Sequence, residues 1–244
     1  MNTIPNKAFR KDRTLPFIGV QTNKYGHFCD DVKKMFQEEG IDVTMLSSRI
    51  FECAFTYDGQ RIIGLGMKND AGGMEFYNRN FHNTPITLKK KSHTTVRFNR
   101  RRGRGDTCLL LFGIDDYIAY EIIQQKKLLA LPSDCDIIIV GHPMNFIQAM
   151  LDSESYEITY LLFPQTECCA CAKKTMQTRN PNGTLDLSHI YGENSSLLQY
   201  LINETIKEKS LCQNNVKDLL PVVLQGSPEI VNSSVVSFQE SYLK

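Results

Sequence analysis

The chain has 244 residues, 41% apolar and 23% charged, with 28 Lys and Arg against 27 Asp and Glu. This is the composition of an ordinary globular protein of one large domain or two small ones, with a core that needs no disulfide staples. No apolar run approaches the roughly 18 residues of a membrane span, and the opening MNTIPNKAFRKDRT lacks the apolar stretch of a signal peptide. A cytoplasmic protein without membrane contact is therefore expected. Its eight cysteines (Cys29, Cys53, Cys108, Cys135, Cys168, Cys169, Cys171 and Cys212) then read as mostly reduced, buried thiols.

In chain order, residues 1–13 read as a loose tail, followed by a short apolar segment, Leu15–Val20. His27–Glu39 is an amphipathic helix, with Phe28, Val32, Met35 and Phe36 in helical register and Gly40 as its stop. Ile50–Tyr57 and Arg61–Met67 are strand-like and meet at Asp58-Gly59, a hairpin signal. Met74–Tyr77 is a third short strand after the turn at Asn69–Gly73. From Thr107 strands and helices alternate: Cys108–Phe112, helix Ile114–Leu128, Asp136–Val140, helix Pro143–Leu151, Glu157–Phe163, helix Glu167–Thr178. Such alternation argues for a parallel sheet with right-handed crossovers. Leu185–Tyr191 reads as a loop, and Ser195–Lys209 as a further helix. The divisions drawn are a tail at 1–13, an α+β (antiparallel) subdomain at 14–106, an α/β domain at 107–212 and a C-terminal tail at 213–244.

Charge is unevenly placed. Lys89, Lys90, Lys91, Arg97, Arg100, Arg101, Arg102 and Arg104 stand against Asp106 alone, a local net of +7 in a chain whose total is +1. A solvated basic loop is the plain reading. The density of RRRGR favours contact with a polyanion, because each neutralised phosphate releases counterions. Single-stranded DNA is the favoured partner, and Phe76, Tyr77, Phe81 and Phe98 are aromatic neighbours that can stack bases if exposed and pack the core if not.

Four segments then carry a resemblance: the β-unit IFECAFTYDGQRIIGLGMKNDAGGMEFYNRNF, LLFGIDDYIAY (Leu110–Tyr120), YLLFPQTECCACAKKT (Tyr160–Thr175) and LDLSHIYGENSSLLQYL (Leu185–Leu201). In order and spacing they resemble the Toprim-containing, primase-like proteins of bacterial mobile elements. The second is similar to the motif F-E-G-x-x-D-Y-L-A, and the third to Y-L-x-x-D-x-D-x-A-G-x-x-A. The resemblance spans roughly residues 40–205 and implies a Toprim-like parallel sheet flanked by helices, preceded by a smaller antiparallel subdomain, as in primase catalytic cores.

The resemblance also implies a catalytic Glu and a D-x-D pair that holds Mg²⁺ through hard oxygen ligands. In this chain those positions are Phe112, Pro164 and Thr166, and Cys169 stands where the family has Gly. No catalytic residue, metal or other cofactor is expected; Asp116 and Glu167 are remnants able to give at most one weak Mg²⁺ site. Both also read as ordinary helix-start acids. Cys168, Cys169 and Cys171 lack the paired spacing of a zinc site and read as buried packing residues, with metal and redox roles as the minor alternatives. His142 reads as a loop histidine facing the same crevice. With no Cys/His zinc module and no G-x₄-G-K-[ST] motif, the expected function is a catalytically silent, nucleic-acid-binding accessory protein for replication or transfer of a mobile element. The alternatives are an enzyme with a site rebuilt from Asp116, Glu167, His142 or a cysteine, and a module whose crevice grips a replication or mobilisation protein.

Overall fold

The computed structural model describes residues 18–22, 27–38, 40–46, 49–57, 60–78, 86–88, 90–97 and 106–207. Five strands form an antiparallel sheet in the order β1 (Ile18–Thr22), β2 (Phe51–Tyr57), β3 (Gln60–Lys68), β4 (Met74–Tyr77) and β5 (Ile86–Leu88). Tyr57 pairs with Gln60, as a two-residue hairpin requires; the Asp58-Gly59 turn itself lies outside the described residues. Helix α1 (Asp30–Glu38) buries Val32 and Phe36 and carries Asp30 and Asp31 in its first turn, where carboxylates complement the helix dipole. It stops at Gly40, whose φ is +77°. There Ile41 N donates to Phe36 O and Gly40 N to Gln37 O, at 3.0 and 2.9 Å, so the last carbonyls are satisfied as in a Schellman turn.

The second sheet has the order β10 (Thr184–Asp186), β9 (Ile158–Leu162), β7 (Thr107–Leu111), β8 (Asp136–Ile139) and β6 (Thr94–Val96). β7, β8, β9 and β10 are parallel, and β6 runs antiparallel on the edge beside β8. Helices α2 (Ile114–Lys126), α3 (Phe146–Ser153) and α4 (Glu167–Arg179) follow β7, β8 and β9. The architecture is thus the expected mixed α/β one. Besides β5, which the residue pattern leaves unassigned, two segments differ from expectation. Residues 185–191, read as loop, supply an edge strand and a 3-10 turn (Ser188–Tyr191). Thr94–Val96, read as part of a basic loop, is an edge strand, with His93, Thr94 and Val96 buried. Both strands have three residues, too few for alternation to reveal them.

Strand alternation divides the core. Leu109, Leu111, Ile137, Ile139 and Leu162 face α2, α1 and residues of the antiparallel sheet such as Leu65 and Met67, all in one apolar cluster. Cys108, Leu110, Ile138, Leu161 and Phe163 face α3 and α4 through Ala149, Cys169 and Met176. β7, β8 and β9 are therefore apolar on both faces, which is why these strands read as continuous hydrophobic runs. The helix that begins at residue 197 places Leu197, Leu198 and Leu201 on the first cluster. Residues 203–207, the last described ones, are helical. Among the described residues no helix is long and apolar enough to cross a membrane.

Candidate functional site

The strand order reverses at β7: β8 lies on one side and β9 on the other. In an open α/β sheet the carboxyl ends at such a switch point leave a crevice where ligands bind. A cavity of about 450 Å³ lies there, lined by Phe112 and Gly113 after β7, Gly141 after β8, and Pro164, Gln165 and Thr166 after β9. Ile114, Asp115, Asp116, residues 192–196 and the β4 residues Glu75, Phe76 and Tyr77 complete it. The three positions singled out by the motifs, Phe112, Pro164 and Thr166, therefore share one cavity.

Each of the three is occupied otherwise than by metal chemistry. The Phe112 ring stacks on Phe146 at 5.8 Å, and Phe146 meets Phe163 edge-on at 5.4 Å. Pro164 is buried. Thr166 is the N-cap of α4, its hydroxyl accepting from Cys169 N at 3.3 Å and lying 3.2 Å from Cys168 Sγ. Asp116 is a structural cap for two helices. One oxygen accepts from Gly113 N at 3.3 Å at the start of α2, the other from Leu197 N at 2.8 Å, eighty-one residues on. Glu167 is exposed in the first turn of α4.

Three acids of the cavity, Glu75, Asp115 and Asp116, are biased towards their protonated forms. Burial raises Asp115, and burial together with the neighbouring Asp115 holds Asp116 well above the usual carboxylate range. Burial pushes Glu75 up to about 7, against the hydrogen bonds it accepts from Thr87 Oγ1 (3.1 Å) and Asn69 Nδ2 (3.4 Å). Gly141 has φ +73°, and a β-carbon there would lie 2.7 Å from the Glu75 carboxyl carbon, so glycine is what lets this group reach the cavity. Among the described residues, no group of three or more His, Cys, Asp or Glu side chains is arranged to hold a metal ion.

Glu75 is the residue that sequence reasoning missed. Its signal was present: a carboxylate inside the four-residue strand MEFY, all four of whose residues are buried. A buried charge amid large apolar neighbours needs a partner or a function.

The remaining expected site residues fall differently. Phe76 and Tyr77 are 2% and 5% exposed; they pack the core, Phe76 against Phe55 and Tyr77 against Phe36, and offer no free stacking face. Cys169 is buried as expected, but Cys168 and Cys171 are exposed, a correction that follows from helical spacing: they share a face and Cys169 does not. His142 caps the 3-10 turn Pro143–Asn145 through Nδ1, which accepts from Met144 N, and does not line the cavity.

The basic ribbon is not one continuous surface strip, because β6 interrupts it. Lys90 and Lys91 are exposed ahead of the strand. Arg97, after it, pairs with the buried Asp136 at 3.3 Å, an oxygen that also accepts from Tyr156 Oη at 2.8 Å. Arg97 thus serves a buried carboxylate. Its replacement by Ala is expected to cost about 1–3 kcal/mol, read as a lowered urea midpoint, because Asp136 loses its counter-charge. Lys89, Arg100, Arg101, Arg102 and Arg104, with Phe81 and Phe98, lie outside the described residues.

No protein-family model matches the chain, and no curated protein sequence matches it. Among solved structures the chain is similar to the primase fragment of the bacteriophage T7 primase-helicase protein. The identity is 12%, the match covers 72% of this chain and 67% of that one, and the TM-score is 0.41.

Proposed function

We propose that this chain is a catalytically silent, primase-like protein that binds single-stranded nucleic acid as an accessory to the replication or transfer of a mobile element. One observation carries the silence: Phe112, Pro164 and Thr166 line a single cavity at the carboxyl ends of β7 and β9. These are the positions at which the resembling motifs have their Glu and two Asp. A Mg²⁺ ion demands ionised, hard oxygen ligands in near-octahedral order. The residues present do not fit it. A ring and an imino acid replace two ligands, and the Thr166 hydroxyl is already used in capping. Both Asp116 oxygens accept backbone N–H groups, and burial disfavours the ionised forms of Asp115 and Asp116.

The binding half of the proposal rests on the concentration of positive charge between Lys89 and Arg104. Affinity for single-stranded DNA is expected to fall steeply with salt. Changing Arg100, Arg101 and Arg102 to Glu should flatten the log–log salt slope by about 2, at roughly 0.7 for each phosphate no longer neutralised. Absent or salt-independent binding would sink the nucleic-acid reading. Mg²⁺-dependent primer synthesis by the purified chain would sink the silence.

A second reading, an enzyme with a rebuilt site, has one observation in its favour: Glu75 faces the cavity with its carboxyl pushed up to about 7, the value a general acid or base needs. Nucleotide turnover with a pH inflection near 7 that Glu75→Gln abolishes would carry it.

A further inference from the structure

The cysteine run at the start of α4 has no part in the reading above. Its three thiols stand in different surroundings. Cys168 and Cys171 are exposed and Cys169 is buried, and all three are free. The pair has C-x-x-C spacing, with Cys169 and Ala170 between. Positions three apart on a helix share a face, their β-carbons about 5–6 Å apart. A disulfide needs β-carbons about 3.5–4.5 Å apart. The difference is of the order of 1 Å, and it falls at the opening of α4, where Thr166 holds Cys169 N through its hydroxyl and Ala170 N through its carbonyl, so closing the bond tightens this capped turn.

Local chemistry separates the three sulfurs further. The Thr166 hydroxyl accepts from Cys169 N and shares a hydrogen bond with Cys168 Sγ at 3.2 Å, in which either group can donate. Cys168 is therefore held in place, and Cys171 stands one turn further along with open access. Cys169 does not compete: its side chain points into the cluster with Leu161 and Phe163, and burial pushes its thiol up to about 12.

We propose that Cys168 and Cys171 form a redox-active dithiol that undergoes exchange with a small-molecule disulfide such as glutathione disulfide, closing an intrachain Cys168–Cys171 bond. Cys168, as its thiolate, attacks one sulfur of the glutathione disulfide. That S–S bond breaks, one glutathione leaves as thiolate, and Cys168 becomes a mixed disulfide. Cys171, as its thiolate, then attacks the Cys168 sulfur, forms the intrachain bond and expels the second glutathione. Two electrons pass from the protein to the glutathione disulfide, and the two protons lost by the cysteines are taken up by the two departing thiolates. An exposed disulfide closed across a tightened turn is of the labile, regulatory kind. Its effect is local to the crevice, because Thr166, which caps this turn, also lines the cavity.

The test is to equilibrate the full chain in glutathione buffers of increasing oxidised fraction, alkylate the remaining thiols and map the peptides by mass. Cys168 and Cys171 are expected to lose reactivity together, with one shared midpoint, and to appear in a mutual crosslink. Cys171→Ser should instead accumulate a single glutathione on Cys168, and Cys169→Ala should behave as the parent. Separate glutathionylation of the two without a crosslink, a crosslink through any other cysteine, or thiols that stay free at the highest oxidised fraction would each overturn the proposal.

Discussion

Replacing Glu75 by Gln is expected to stabilise the protein at alkaline pH by an amount on the order of 3 kcal/mol, and to leave it unchanged below about pH 4. The side chain is 2% exposed and its carboxyl is pushed up to about 7 by burial, whereas the unfolded chain releases this proton near pH 4.3. Because the folded value is the higher one, the native state keeps the proton longer. The stability it contributes is complete below the unfolded pKa and drains away as pH rises towards 7. Gln removes the cost of ionisation while keeping the contacts: its oxygen can still accept from Asn69 Nδ2, and its amide can donate to Thr87 Oγ1 once that hydroxyl rotates. Urea midpoints of both proteins at several pH values between 4 and 9 decide the matter. A gain that does not grow with pH, or a loss at pH 8, would show that Glu75 is not a buried, strained acid.

Loss of His93 is expected to act in the opposite sense. Its imidazole is buried, and Nε2 lies 3.2 Å from Asp70 Oδ2 and 2.8 Å from Asp152 Oδ2. One ring thereby ties the turn between β3 and β4 to helix α3. The tie is reinforced by Asp70, whose backbone N–H donates to His93 O and whose carboxylate accepts from Thr95 N, both at 3.1 Å. The hydrogen bond with Asp70 raises the His93 pKa against the opposing effect of burial, and His93 in turn holds Asp70 below the usual range. A histidine with a raised folded pKa contributes stability that is full below about pH 6.5 and is lost as pH climbs through the folded value. His93→Leu should therefore cost about 2–4 kcal/mol at pH 6, a fall in Tm of about 5–10 °C, because two carboxylates are left facing each other without their cation. The cost should shrink by pH 9. Equal losses at pH 6 and pH 9 would mean that the ring contributes packing alone.

These two groups act together with Asp115 and Asp116, whose carboxyls are also raised by burial. All four withdraw stability as pH rises. Asp42, Asp70 and Asp186, each lowered by hydrogen bonds, withdraw it as pH falls below their ordinary range.

What was legible from the residues followed from long-period signals. The strand–helix alternation after Thr107 places β7, β8 and β9 within a residue or two, since an apolar run between a turn and an amphipathic helix has few other solutions. The Gly40 stop was equally plain, because only a residue at ease at φ +77° closes the helix that way. Short elements were not legible: β5, β6 and β10 have three residues each and take their order from neighbours already in place. Net charge misled for a related reason. Counting Arg97 with the ribbon ignored Asp136, a strand-start acid thirty-nine positions away that only the pairing of β6 with β8 brings within 3.3 Å. Phe76 and Tyr77, by contrast, pack the core, which is the reading that aromatic residues on a strand favour.

By itself the sequence determined the fold class, and it puts at positions 112 and 164 side chains that offer Mg²⁺ no oxygen, wherever the chain places them. It determined the spacing of Cys168 and Cys171, since helical periodicity is local. Only the tertiary structure decided which acids face the crevice. Glu75 arrives from the antiparallel sheet over Gly141, and Asp116, at the crevice wall, has both oxygens taken up in capping α2 and the helix that begins at Leu197. Both outcomes depend on contacts between residues far apart in the chain, where the energy lies in burial and in the satisfaction of backbone N–H groups. No local pattern of residues encodes either.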